Sequence, residues 1–261
     1  MTLKVLSYNI REGGGDRLPA IEAVIRNEQA DAMALLEAND QAGAETLARR
    51  LGMQIAFGEA NSAFHIAWLT RLSVVRWKNH RLAALAKTLL EIEVGWEGAE
   101  GTEGSQGVGG PALHLFATHL ASRHDYQQPP DEVRAILDVL RPLRLAGQPH
   151  LLVGDFNALG PGDPVGDLPP GVEKRGEAVD GAPRPAIRLI LEAGYVDCYR
   201  TLHPREPGYT YPTGPPGAAW LRLDYIFASP LLAARLSACD VVTEGEAYRA
   251  SDHFPVWAQF D

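Results

Sequence analysis

The chain has 261 residues, 46% of them apolar, which suffices for a substantial core in one large α/β domain or two small ones. The 33 acidic side chains outnumber the 24 lysines and arginines, giving a net charge of −9. That balance disfavours a protein living on non-specific phosphate contacts to duplex DNA, which needs a basic face, but a bound metal and a local arginine cluster can override a global field.

The opening MTLKVLSYNIREGG lacks the basic n-region and long apolar core of a signal peptide, so a soluble, cytoplasmic protein is expected. No stretch reaches the ~18 uninterrupted apolar residues of a membrane span. Residues 3–8 predict a strand running into the Gly13-Gly14-Gly15 turn. Leu18, Ile21, Val24 and Ile25 then fall at helical spacing, with Pro19 in the first turn. Residues 32–36 predict a strand buried on both faces, and residues 42–51 a helix stopped by Gly52. Residues 53–57, 64–69, 72–77 and 87–94 predict successive strands joined by short turns, a meander. Residues 95–111, acidic and Gly-rich, predict a hairpin loop joining two strands.

A strand over 112–118, a helix over 131–145 and a buried strand over 151–154 follow. Residues 160–185, rich in Gly and Pro, predict a long surface loop directly after a motif, a common place for functional loops. A helix over 186–193 and strands over 223–227, 239–243 and 254–260 complete the chain. Without repeat or linker, the whole chain, 1–261, reads as a single α/β domain. Its two similar halves predict two sheets packed face to face with helices outside. Cys198 and Cys239 are too few for a disulfide framework and lack metal-ligand spacing, so they read as small buried hydrophobes.

Polar residues stand where several strands end. Asn9 closes the first strand, Glu37 the third element, and His119 and Asp155 follow later strands. Asp224 lies within Leu223-Asp224-Tyr225-Ile226-Phe227, and Asp252 and His253 precede Phe254-Pro255-Val256. Each has an ordinary reading. A lone Asp after a strand is usually a turn or N-cap residue, Glu37 an exposed helix start, and His119 a satisfied core histidine. A carboxylate between apolar strand residues, as at Asp224, is costly unless paired. Taken together, carboxylates and imidazoles without thiolates form a hard-ligand set that suits Mg²⁺ or Mn²⁺.

Ser7-Tyr8-Asn9-Ile10-Arg11, Leu36-Glu37, Thr118-His119-Leu120, Gly154-Asp155-Phe156-Asn157, Arg222 to Phe227 and Ser251-Asp252-His253-Phe254-Pro255-Val256 occur in one order along the chain. In that order they resemble the endonuclease/exonuclease/phosphatase superfamily. The resemblance implies a four-layer αββα sandwich of two mixed sheets, and phosphoester hydrolysis by in-line attack of water. It implies Glu37 as principal metal ligand, with Asn9 and Asp252 completing the site. Asp155 would orient or deprotonate the attacking water, and Asn157 would hold it or the phosphate. His253, kept in its tautomer by Asp224, would contact the scissile phosphate, and His119 would bond it from the other side.

There are departures. Leu36 stands where the family often has Gln, Arg11 where abasic-site nucleases carry an acid, and His119 where they carry Tyr. The last two lean towards the phosphatase, sphingomyelinase and phosphodiesterase branches, with a small-molecule, lipid or nucleotide phosphoester as substrate. Arg11, Arg123 and His124 are then candidate phosphate contacts, or solvated surface charge. A DNA or RNA nuclease is the alternative, for which Arg200, Arg205, Tyr209, Tyr211, Trp220 and Arg222 come nearest to a basic, aromatic groove. A non-catalytic binding module is a third reading.

Overall fold

Twelve strands and seven α-helices occur among the described residues of this computed structural model, which are 2–96, 112–122, 130–166, 184–213 and 220–261. In chain order they are β1 (Leu3–Asn9), α1 (Leu18–Glu28), β2 (Ala32–Leu36), α2 (Gln41–Leu51), β3 (Gln54–Gly58), β4 (Ile66–Thr70) and β5 (Val74–His80). Then come β6 (Leu89–Gly95), β7 (Ala112–His119), α3 (Pro130–Leu145), β8 (His150–Asp155), α4 (Pro185–Glu192), β9 (Val196–Asp197) and α5 (Cys198–Leu202). The last are β10 (Asp224–Ala228), α6 (Pro230–Ala233), β11 (Leu236–Val241), α7 (Ala247–Ala250) and β12 (Val256–Phe260).

One six-stranded sheet has the order β11-β12-β1-β2-β4-β3, and the other β5-β6-β7-β8-β10-β9. Both are mixed: β1–β2 and β7–β8 run parallel, their other pairings antiparallel. Successive strand side chains point to opposite faces, and that alternation builds three apolar layers. Val5, Ala34, Leu36 and Trp68 of the first sheet meet Ile92, Leu115, Val153 and Ile226 of the second in a shared core. The opposite face of the first sheet, with Leu6, Tyr8, Met33 and Leu35, packs on Ile21 and Ile25 of α1 and Leu47 of α2. Phe116, Leu152 and Phe227 of the second sheet pack on Val133 and Ile136 of α3 and Ile187 of α4. The expected four layers, with helices outside, are therefore present. Both free cysteines are buried in the shared core.

Gly52 ends α2 with φ 67, a left-handed conformation that costs glycine little. The meander expected over 53–94 is interrupted. β3 and β4 pair in the first sheet, but β5 and β6 pair in the second. Because β3 and β5 are edge strands stacked on one another, three residues suffice for the crossing, as few as a hairpin needs. The hairpin expected around 95–111 has its predicted ends, Gly95 opposite Ala112, while 97–111 lie outside the described residues. Of the loop expected over 160–185, residues 167–183 lie outside them too. Asp224 is the first residue of β10, not an interior one. The short β9, α5, α6 and α7 had no periodic signal, being too brief to show one.

Candidate active site

The site continues the inter-sheet core at one end of the sandwich. In β7 the core-facing residues are Leu113, Leu115 and Ala117, so His119 is the next position on that face. In β8 they are Leu151 and Val153, and Asp155 follows; in β1, Leu3 and Val5 share parity with Asn9. In β10, Asp224 precedes Ile226 and Ala228. Parallel pairing puts the ends of β7 and β8 side by side, His119 opposite Asp155. Antiparallel pairing sets Asp224 opposite Asp155, and β12 beside β1 brings Asp252 and His253 to the same end. Polar side chains thus replace apolar ones where the two sheets part.

Asp155, fully buried, is the hub. Its Oδ2 accepts from Asn9 Nδ2 at 3.1 Å and lies 3.2 Å from His119 Nε2 and 3.8 Å from His253 Nε2. Its Oδ1 accepts from the Asn157 backbone N–H at 2.9 Å. Burial alone would raise this carboxyl, but the two imidazoles and Lys87 hold it well below the usual carboxylate range. Asp224 Oδ2 accepts from His253 Nδ1 at 2.8 Å. Burial would strip the proton from His253, and Asp224 and Asp155 outweigh it, so the imidazole keeps its proton above neutral pH. His119 behaves oppositely: burial, helped by Lys87, lowers it against the pull of Asp155, leaving a neutral ring. Two histidines flanking one carboxylate therefore differ in charge.

Glu37 follows β2 with φ 57, and Asn157 follows β8 with φ 46. Such left-handed non-glycine residues cost about 1–3 kcal/mol and cluster at functional sites. The Glu12 N–H donates to Glu37 Oε2 at 2.9 Å, and Asn9 Nδ2 to Glu37 Oε1 at 3.2 Å, which fixes the carboxylate. Arg11, also at positive φ, places its Nε 3.7 Å from Asp252 Oδ2. The glycine of Gly154-Asp155-Phe156-Asn157 is compulsory: a Cβ there would sit 1.9 Å from the Thr118 carbonyl oxygen.

A cleft of about 350 Å³ opens over these groups, lined by Arg11, Glu37, His119, Asp155, Asn157, Asp252 and His253 among others. All the expected site residues thus share one cleft end except Arg123, which with His124 lies outside the described residues. Asp224 stands behind His253. Sequence reasoning missed Lys87 and Phe64, which also line it, as does Tyr211, named from the sequence only for a nucleic-acid groove. Tyr211 packs on the His253 ring at 4.7 Å between centroids, and Phe64 on His119 at 6.2 Å. The available signal for Lys87 was a cation intruding into the apolar run Leu85 to Leu90, the kind of anomaly that marked Asp224.

Two acidic groupings compete for a cation. The oxygens and nitrogen of Asp155, Asp224 and His253 lie within 4.8 Å of one another. Their imidazole is protonated and hydrogen-bonded, so that grouping holds a proton and repels a cation. Glu37 and Asp252 are half-buried, beside the Asn9 amide, and lack thiolate neighbours. This oxygen-rich set fits a hard divalent ion.

The Endonuclease/Exonuclease/phosphatase family model matches residues 6–253, and the chain belongs to that family. It is a family of phosphoesterases and nucleases, hydrolytic enzymes generally dependent on a divalent metal. Among solved structures, the chain is similar to the 3′ phosphatase NExo from Neisseria bound to product DNA hairpin, with TM-score 0.73, 22% identity and 99% of each chain covered. It is also similar to an AP endonuclease from Archaeoglobus fulgidus (TM-score 0.70, 20% identity, 99% of each chain). The human Nocturnin catalytic domain gives TM-score 0.67 and 20% identity over 100% of this chain and 93% of that one. At these identities the likeness is one of fold. No curated protein sequence matches. Among the described residues no helix is long and apolar enough to cross a membrane.

Proposed function

We propose that the chain, acting as a single domain, is a Mg²⁺-dependent (or Mn²⁺-dependent) hydrolase of small-molecule, lipid or nucleotide phosphoesters, a phosphodiesterase or phosphatase. The observation that carries this reading is the convergence on Asp155 of one neutral and one protonated histidine beside an oxygen-donor cleft. Glu37, Asn9 and Asp252 would hold the cation. When bound, it supplies charge for the phosphoryl and leaving oxygens and lowers the pKa of water.

Asp155, kept ionised, accepts a proton from the attacking water. Asn157, anchored by its backbone N–H to Asp155, orients that water or the phosphate. A phosphoryl transition state spreads negative charge over its non-bridging oxygens. His253 meets that charge as a protonated donor, and Asp224 fixes its ring and stabilises its proton. His119, neutral and bonded to Asp155, holds the carboxylate in position and lines the opposite wall. Arg11, beside Asp252 at the cleft mouth, and Arg123 are the proposed outer substrate contacts.

The test is turnover of bis-nitrophenyl phosphate, nitrophenyl phosphate, inositol phosphates, sphingomyelin and nucleotides with Mg²⁺, with Mn²⁺ and with EDTA. Metal-dependent release from at least one substrate is expected, and inactivity on all would sink the reading. A nuclease on the same scaffold is the second reading, favoured by the full-length fold match to two DNA-directed enzymes. Against it, Arg200 and Arg222 are committed to Asp163 and Asp197 and do not line the cleft. Cleavage of a labelled oligonucleotide faster than any small ester, lost in Asp155→Ala, would promote the nuclease.

A further inference from the structure

Lys87 is 5% exposed, at the foot of β6, and the catalytic roles above do not use it. Burying an ammonium is expensive unless its donors are met. Among the described residues, one of its three donors is met. Nζ donates to the Leu120 carbonyl at 2.9 Å and lies 5.2 Å from the Phe64 ring centroid. No carboxylate of the described residues comes within ion-pair distance. Asp155, Glu37 and Glu132 act on it only from further away.

The direction of the unspent donors follows from its neighbours. The Leu120 carbonyl that accepts from Lys87 also accepts from Asn157 Nδ2 at 3.1 Å. The ammonium and the catalytic amide therefore stand side by side, each one hydrogen bond from a shared oxygen. Lys87 lines the cleft with Phe64, His119 and Asn157. The other cleft cations are already engaged: Arg11 faces Asp252 at 3.7 Å, and His253 is bonded to Asp224 at 2.8 Å. Among the described cleft residues, Lys87 is the cation whose charge is unspent.

We propose that Lys87 is a substrate-binding residue whose ammonium contacts a terminal oxygen of a phosphomonoester, giving the cleft a preference for monoesters over diesters. The proposal rests on the phosphoester-hydrolase reading above. A monoester dianion presents three terminal oxygens and one more negative charge than a diester, which offers two. That additional charge is what an unpaired ammonium in a carboxylate-rich cleft is suited to meet. A charged hydrogen bond contributes about 1.5–3 kcal/mol, which is tenfold or more in affinity.

The experiment compares wild type with Lys87→Met and Lys87→Arg on nitrophenyl phosphate and bis-nitrophenyl phosphate in Mg²⁺. Binding of inorganic phosphate is measured by calorimetry alongside. In Lys87→Met, KM for the monoester should rise about tenfold and phosphate should bind about tenfold more weakly, with the diester KM changing less than about threefold. Lys87→Arg should recover most of the loss. Equal losses on both esters, unchanged phosphate affinity, or no phosphate binding by wild type would overturn it. So would failure of both Lys87→Met and Lys87→Gln to fold, since that assigns Lys87 to the scaffold. If wild type hydrolyses neither ester while phosphate binding still depends on Lys87, it is the hydrolase reading that fails.

Discussion

Two buried charged clusters sit on the second sheet, and they are built differently. Arg222 is 2% exposed and forks onto both Asp163 and Asp197 with four hydrogen bonds of 2.7–3.1 Å. Arg200 and the Tyr225 hydroxyl also donate to Asp163. Burial would raise the Asp163 carboxyl, yet the two arginines hold it below its ordinary value. Every charge in that cluster has its complement. Around Asp155, acids outnumber cations, and His119 Nδ1 is buried without a hydrogen-bond partner among the described residues. A cluster that closes on itself is scaffold. One that leaves charge and donors over is shaped for something else to complete it.

The contrast is broken most directly by removing each hub. Asp155→Ala should lower kcat/KM by about 10³-fold or more, because it removes the proposed base and the partner of both histidines. Because its carboxyl is held below the ordinary range, ionised Asp155 stabilises the fold at neutral pH, so the urea midpoint should also fall, though by less than in Arg222→Leu. Loss of folding in step with activity would show that Asp155 is as structural as Arg222. Arg222→Leu should cost mainly stability. It strands two buried carboxylates, so unfolding free energy should drop by about 3–5 kcal/mol, measured by urea denaturation. A stable Arg222→Leu protein with lost turnover would reverse the assignment.

Asp224→Asn sharpens the comparison within the site. An amide still accepts from His253 Nδ1 but no longer stabilises its proton, so kcat should fall about 10²-fold with KM little changed. Burial and Asp155 raise the Asp224 carboxyl above its ordinary value, so neutralising it should leave thermal stability unchanged or higher. A fall in stability with intact kcat would make this pair scaffold.

Much of this was legible in the chain because the site obeys the same period-two rule as the core. Leu113, Leu115 and Ala117 announce a face, and His119 stands next on it; Leu151 and Val153 do the same for Asp155. The motif order then supplied roles that alternation cannot. What stayed hidden depends on three-dimensional pairing. Nothing local to Arg222 says that it meets Asp163 and Asp197 across 59 and 25 residues. Read as a surface arginine, it looked available for nucleic acid. The crossing between β4 and β5 was likewise invisible, because a three-residue link serves a hairpin and a stacked-sheet step equally well. Lys87 was passed over because a lysine in a strand ordinarily snorkels to solvent.

A third polar cluster tests how far the distinction extends. Glu91 lies on the helix-facing side of the second sheet, with His80 Nε2 at 2.8 Å and His114 Nδ1 at 2.9 Å. Both carboxylate oxygens are used, so by the criterion above this is scaffold. Burial opposes ionisation, but bonds from the two imidazoles hold Glu91 at about 2. Its unfolded value is near 4.3. A depressed folded pKa means its stabilisation is complete above about pH 4.3 and disappears as pH falls towards 2. Glu91→Gln should therefore lower the thermal midpoint by a few degrees at pH 6 and converge on wild type near pH 2, with kcat/KM at pH 7 within about twofold. Scanning calorimetry between pH 2 and 6 reads the first, and nitrophenyl ester turnover the second. A parallel offset at every pH would show that packing, not the ionised carboxylate, is what His80 and His114 hold in place.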